Sequence, residues 1–336
     1  MQKGIVNRDD GIWQGHPDIA FFNGKLFVVY RESDQHKTAS ETKIKLAQSK
    51  DAETFLDPIT ISTSQDRYNC PRIMVIEDTL CVLCDRVEAS EDYIGAEDTP
   101  ERTSVLLWRS TDGETWEEPI DLGISGIVPD RIFQFHNKFL IATHTRRRSL
   151  DEPYQENLTQ NVWISNSLEG PWQQHPVAHK SGFNFCEGSI FYHKPRLFCV
   201  MRENSGIGRP AYYCTSKDGV SWSPVIETRM AGCHRPVCGI LRSGRLLTTY
   251  REASHSFFRG YWAKNTFACL TSPDSFISNF DKSIILPLDH DNSSRSDSGY
   301  TGWVQLPDDS IFIVNYITGN ARKPYIKWYR IDESEF

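Results

Sequence analysis

The chain has 336 residues, 24% of them charged, and a formal net charge of −7. An acidic balance of that size argues against nucleic acid as a main partner, because a polyanion would meet mostly like charge. Residues 1–11 hold no apolar run suited to a signal peptide, and no later run is long enough to span a membrane. The expectation is a soluble, cytoplasmic protein with no membrane insertion.

The length admits two average domains or one large repeat-built β domain, and internal repeats decide for the second. Six units recur along the chain, at residues 16–33, 70–86, 129–145, 186–204, 233–253 and 298–316. Each opens with a small or polar cluster, runs into an apolar strand, turns, and enters a second apolar strand that often ends in a charged group. Turn signals fall where hairpins need them, at Asn23-Gly24, Glu77-Asp78, Ser243-Gly244 and Asp308-Asp309. The units start roughly every fifty to sixty residues, the size of a four-stranded propeller blade. A third strand and a short fourth, such as residues 58–62, follow each hairpin. The last unit shows three strands, closing on residues 325–331, and residues 3–7 at the amino end supply the fourth. Aromatic residues make 12% of the chain, enough to fill the layers between packed sheets. The expected fold is all-β: a six-bladed β-propeller of four-stranded antiparallel blades, one domain over residues 1–336, with both termini in the closing blade. Two long connections, residues 87–101 (with Tyr93) and 146–156, are expected as lids on the face where the first strands begin.

A second repeat sits after the third strands. Ser110, Asp112, Gly113, Thr115 and Trp116 form a tight-turn pattern in which the aspartate bonds backbone N–H groups, the glycine takes positive φ, and the aromatic plugs the sheet. Residues 216–222 copy it closely and residues 49–55 repeat it with Ala52 for glycine; residues 165–172 and 271–276 read as degraded versions. These turns resemble the Asp-boxes of the sialidase superfamily of β-propellers. They lie on the outer rim and speak for fold rather than catalysis.

Nine cysteines lie within strand patterns. Cys81-x-x-Cys84 has metal-like spacing, but it sits in an apolar strand and lacks a second pair, so packing of reduced thiols is the expected role. Neither a metal site nor a phosphate loop is visible, and no cofactor is expected.

In a propeller the inner strands converge on an axis, and their first residues line one mouth. Those positions carry His16 and Asp18, Arg72, Asp130 and Arg131, Glu187, His234 and Arg235, and Tyr300. So many arginines call for anionic partners. Here the sialidase resemblance extends to chemistry. Gly299-Tyr300-Thr301-Gly302-Trp303 is similar to the last-blade segment with the catalytic tyrosine of that family, and Cys186-Glu187-Gly188-Ser189-Ile190 to the segment with its catalytic glutamate. Arg202 follows Glu187 where the family places an arginine that clamps the substrate carboxylate. Arg259 is a second clamp by the same resemblance, and Arg235 competes for that role.

A sialic acid carries a carboxylate on its anomeric carbon, which would repel a carboxylate nucleophile. A tyrosine stays neutral until a base such as Glu187 takes its proton. An acid for the leaving oxygen is expected on a first-blade loop, with Asp34 nearest and Asp18 and Asp85 as rivals. The family opens its first blade with Arg-Ile-Pro, whereas this chain reads Gly15-His16-Pro17, so Arg31 or Arg72 must substitute or the sugar differs. The triplets Tyr30-Arg31-Glu32, Met201-Arg202-Glu203 and Tyr250-Arg251-Glu252 end three second strands, where each arginine is expected to pair with an acid of an adjacent blade. Three functions remain open on these residues. The first is an exo-acting hydrolase of an anionic sugar. The second is a glycosidase of the same fold that uses paired carboxylates, such as Asp18 or Asp34 with Glu187, on another sugar. The third is a non-catalytic propeller that binds a glycan. The partner is a carbohydrate in each; oligomeric state cannot be read.

Overall fold

The computed structural model describes the chain except residues 39, 63–64, 88–101, 149–155, 257–260 and 279–281. Both expected lids fall largely outside the described residues, Tyr93 wholly so.

Six antiparallel sheets form, five from successive strands and the sixth from the last three strands and the first. Strand β1 (Gln2–Asn7) is set aside for the last sheet. Blade one holds β2 (Trp13–Phe22), β3 (Lys25–Ser33), β4 (Lys43–Ser49) and β5 (Ile59–Thr60). Blade two holds β6 (Arg67–Tyr68), β7 (Arg72–Ile76), β8 (Thr79–Val87), β9 (Thr103–Ser110) and β10 (Ile120–Asp121). Its inner strand is in two pieces, β6 and β7, which pair with β8 on either side of residues 69–71. Blade three is β11 (Phe133–Phe135), β12 (Lys138–Arg148), β13 (Glu156–Ser165) and β14 (Gln173–Ala178). Blade four is β15 (Phe185–His193), β16 (Arg196–Glu203), β17 (Tyr212–Ser216) and β18 (Ile226–Glu227). Blade five is β19 (Cys233–Ile240), β20 (Leu246–Ser256), β21 (Tyr261–Thr271) and β22 (Ile284–His290). Blade six is β23 (Ser298–Gln305), β24 (Ile311–Ile317) and β25 (Tyr325–Ile331), with β1 paired antiparallel on β25.

The core is a ring of layers between blades. Strand β3 shows how the sequence makes it: Phe27 and Val29 face the layer shared with blade two, while Leu26, Val28 and Tyr30 face the layer shared with blade six. Side chains alternate across a strand, and here both faces are covered, so the strand reads as a continuous apolar run. The remaining layers join blades two and three, three and four, four and five, and five and six. With the first two they close the circle.

The turns after three of the third strands share one bonding pattern. In blade two, Asp112 Oδ1 accepts from the N–H groups of Glu114 (2.7 Å) and Thr115 (2.8 Å), and Ser110 Oγ accepts from Gly113 N–H (2.8 Å). Asp51 and Asp218 repeat these bonds in blades one and four. Gly113 sits at φ 79°, and a Cβ there would lie 2.4 Å from Phe27, so the turn packs its bare backbone on the neighbouring blade. Residues 271–276 differ from the expectation: Pro273–Ser278 is a short helix, opened by Ser272 Oγ accepting from Ser275 N–H.

Backbone N–H bonds from Thr115 and Glu114, with the Ser110 hydroxyl, hold the Asp112 carboxyl down at about 2. A depressed folded-state value means the turn stabilises the fold above the ordinary carboxylate value and loses that contribution as pH falls towards about 2. Asp112→Ala is therefore expected to melt below the wild type at neutral pH, with the gap closing below pH 3.8. Activity per folded molecule is expected to be unchanged, and a melting series across pH checks both points.

Candidate active site

Every inner strand is kinked at the same place. In blade one Gly15 pairs with Arg31 and Asp18 with Val29, so His16 and Pro17 together oppose Tyr30 alone. Blades four, five and six repeat this two-against-one bulge after Cys186, His234 and Gly299. The first bulged residue takes positive φ each time: His16 (56°), Glu187 (54°), Arg235 (49°) and Tyr300 (50°), with Val128 (54°) in blade three. Left-handed backbone at bulky residues costs on the order of 1–3 kcal/mol apiece and persists only where the surroundings enforce it. Bulges re-aim side chains, and here they bring together residues far apart in sequence.

The residue opposite the strand position before each bulge forms a second set: Arg31, Asp85, His144, Arg202, Arg251 and Tyr316. The two sets meet at one mouth of the ring. Tyr300 Oη donates to Glu187 Oε1 at 2.5 Å, and Arg202 Nη1 donates to the same oxygen at 2.9 Å. The Arg251 guanidinium lies 4.8 Å over the Tyr300 ring. The His16 ring flanks it at 4.6 Å, its Nδ1 2.9 Å from the Asn69 carbonyl. His144 Nδ1 lies 3.3 Å from the Glu187 backbone N–H and accepts from it, which requires that nitrogen to be unprotonated. Burial pushes His144 down to about 3, partly opposed by Glu187.

Burial alone would raise the Glu187 carboxyl, but the Arg202 and Arg251 charges and the Tyr300 hydrogen bond outweigh it and hold Glu187 well below the usual carboxylate range. Burial and the Glu187 charge push the Tyr300 phenol far above its ordinary value, against the pull of both arginines. The resting pair is thus an anionic carboxylate accepting from a neutral phenol. Glu187 Oε2, Arg202 Nε, Arg251 Nε, Arg235 Nη1 and His16 Nε2 are buried with no hydrogen-bond partner among the described residues. Polar atoms left so are a reason to look for a ligand.

The other sequence-predicted residues are spread more widely. Arg235 donates to the Pro129 carbonyl at 2.8 Å. Arg31 donates to the His36 carbonyl (2.5 Å) and Asn69 Oδ1 (3.3 Å) and lies 4.4 Å over the Trp13 ring. Arg72 and Asp18 are a buried ion pair at 3.4 Å, and Arg131 grips both Asp18 oxygens at 2.9 and 2.5 Å. Asp18 also accepts from Ile73 N–H, so its carboxylate ties blades together and is spent there. Asp85 accepts from the N–H groups of Cys70 and Val128 and from Asn69, and is likewise consumed. Asp34 is exposed in the bend after β3, where its backbone carbonyl accepts from Lys323. Arg259 lies outside the described residues. Among the described residues, none of Arg31, Arg202 and Arg251 pairs with an acid of an adjacent blade: Arg202 takes Glu187 of its own blade, and Arg251 covers Tyr300. Arg251 is the site residue that sequence reading set aside. Its signal was present, since it ends a second strand in the same triplet frame as Arg202.

The ring of six four-stranded blades, a six-bladed β-propeller, holds a tyrosine–glutamate pair and arginines at one mouth. No protein-family model and no curated protein matches the sequence. Solved structures share the fold. A protein of unknown function from Dyadobacter fermentans DSM 18053 superposes with a TM-score of 0.77 at 17% identity, covering 98% of this chain and 97% of that one. The endosialidase of phage phi92 gives 0.71 at 9% identity, over 98% of this chain and 69% of that one. The Hadza microbial sialidase Hz136 gives 0.69 at 16% identity, over 96% of this chain and 66% of that one.

Proposed function

We propose that this protein is an exo-acting glycoside hydrolase that releases a terminal anionic sugar, a sialic acid or related ulosonic acid, with Tyr300 as nucleophile and Glu187 as its base. The observation that carries the reading is the 2.5 Å bond from the Tyr300 hydroxyl to Glu187. A phenol so far above its ordinary value is a poor nucleophile unless its proton leaves as it attacks, and Glu187 is already placed to take it. Substrate binding brings the anomeric carbon to Tyr300 Oη; the proton moves to Glu187 Oε1 as the new C–O bond forms, so no charge builds on the phenol opposite the sugar carboxylate. Arg202 and Arg251, each with a buried Nε still unpartnered, supply the positive field for that carboxylate.

The first-blade arginine of the family has no room here. A Cβ on Gly15 would lie 2.2 Å from the Trp13 ring, so the side chain across the hairpin, Arg31, is the one available to take its part. The reading that pairs Asp18 or Asp34 with Glu187 on another sugar is weakened, because Asp18 is occupied by structural bonds and Asp34 is exposed in the bend after β3.

Release of free sugar from a 4-methylumbelliferyl ketoside of N-acetylneuraminic acid tests the reading. Binding of that glycan without turnover would make the protein a glycan-binding propeller instead. Arg251→Ala is expected to weaken binding of an unsaturated sialic acid analogue by about tenfold or more, the worth of a charged hydrogen bond. An uncharged sugar ligand should be indifferent to the change, and calorimetric titration measures both.

A further inference from the structure

We propose that His36, held by Asp297, is the proton donor to the leaving glycosidic oxygen; the inference rests on the Tyr300–Glu187 reading. His36 Nδ1 lies 2.9 and 3.0 Å from the two Asp297 oxygens. Asp297 also accepts from Trp13 Nε1 (2.9 Å), Lys264 Nζ (3.0 Å) and Tyr316 Oη (3.0 Å), four groups from blades one, five and six on one carboxylate. Burial opposes the charge on Asp297, but His36, Lys264 and Trp13 hold it well below the usual carboxylate range. An anion on Nδ1 keeps the proton there in the neutral ring, so Nε2 is the nitrogen that gains and loses one. The ring's hydrogen bonds to described residues run through Nδ1, and the side chain is 33% exposed.

The ring stands on the same wall as the nucleophile. It packs on His16 at 5.2 Å and Tyr316 at 6.3 Å, and Tyr300 packs on the same two rings at 4.6 and 6.4 Å. Its backbone is pinned as well, through the bond from Arg31 to its carbonyl. Asp34, two residues earlier, is exposed; its backbone carbonyl accepts from Lys323, and no group holds its carboxylate as Asp297 holds His36 among the described residues. In the first half-reaction Nε2–H passes its proton to the glycosidic oxygen as the C–O bond breaks and the bonding pair stays on that oxygen. Tyr300 Oη, its proton now on Glu187, holds the sugar. In the second, neutral Nε2 takes a proton from the attacking water, the Tyr300–sugar bond breaks, and the phenol recovers its proton from Glu187.

The groups facing His36 are Asp297, Lys264, Arg31, His16, Trp13 and Tyr316. Burial lowers the imidazole below its ordinary value, Asp297 opposes this, and Arg31 and Lys264 add to it. An acid must be protonated to act, so hydrolysis that needs it falls as pH rises through a point below 6.5.

The test compares kcat/KM on sialyllactose, whose leaving group needs a proton, with that on 4-nitrophenyl sialoside, whose leaving group does not. His36→Asn keeps an N–H for Asp297 and removes the acid. It is expected to lose about a hundredfold or more on sialyllactose and under tenfold on the aryl substrate. The wild type alone gives a second reading: its basic limb should be steep for sialyllactose and shallow for the aryl sialoside. Equal losses on both substrates, superposable pH profiles, or the selective loss appearing in Asp34→Asn would each overturn the role of His36 and leave the Tyr300–Glu187 reading standing. A wild type that hydrolyses neither substrate overturns both.

Discussion

Tyr300→Phe is expected to lower kcat on an aryl sialoside by about three orders of magnitude or more, because it removes the hydroxyl proposed as nucleophile and keeps the ring. The ring keeps its packing against His16 and beneath Arg251. One hydrogen bond to Glu187 is lost, so stability should fall by only about 1 kcal/mol. Glu187→Gln should do comparable harm to kcat for a different reason: the phenol then has no base. Its stability cost should be larger, since Glu187 is the carboxylate that compensates Arg202 and lies in the field of Arg251. Breaking a buried ion pair by neutralising one partner typically costs about 3–5 kcal/mol, and the exposed edge of this site puts the expectation at the low end. The double variant should be barely slower than either single one, because two residues that act as a unit are not additive. Steady-state kinetics with denaturant unfolding of the same four proteins decides the matter. Near-normal turnover in either single variant would remove the pair from catalysis.

Asp18→Asn should leave the site chemistry in place and damage the fold. The carboxylate is fully buried, gripped by Arg131 through both oxygens, paired with Arg72, and bonded to Ile73 N–H of blade two. Burial opposes its charge, yet Arg131 and Arg72 pull the carboxyl below its ordinary value, so it is an anion in the folded protein. An asparagine of the same shape leaves two guanidinium groups near the axis with Asp130 as their remaining anion. The expected loss is about 3–5 kcal/mol, read as a lower denaturant midpoint with an unchanged slope. A change under about 1 kcal/mol would mean that water or Asp130 already carries the charge balance.

The propeller was legible because its signals are local. The run from Leu26 to Tyr30 is apolar at every position because both faces of β3 are covered, and that needs no knowledge of what covers them. The turn at Ser110, Asp112 and Gly113 is closed by bonds among residues 110–115. Where the local pattern was thin, as at residues 271–276, the reading failed and a helix took the place of the turn.

The sequence by itself determined the six repeating hairpins, the strand faces and the turn chemistry, all of which depend on neighbours within a few residues. It also pointed to Tyr300 and Glu187 as polar residues at inner-strand starts. Only the tertiary structure decided which charged residues work together. Tyr300 and Glu187 are 113 positions apart and meet through two bulges aimed across the axis. Arg251 and Asp18 illustrate the point from opposite sides. Both looked alike as charges near strand ends, yet the closed ring turns Arg251 over the Tyr300 ring and seals Asp18 between Arg131 and Arg72. The physical reason is that a buried charge takes its role from its nearest counter-charges, and here those come from other blades, whose placement exists only once the ring has closed.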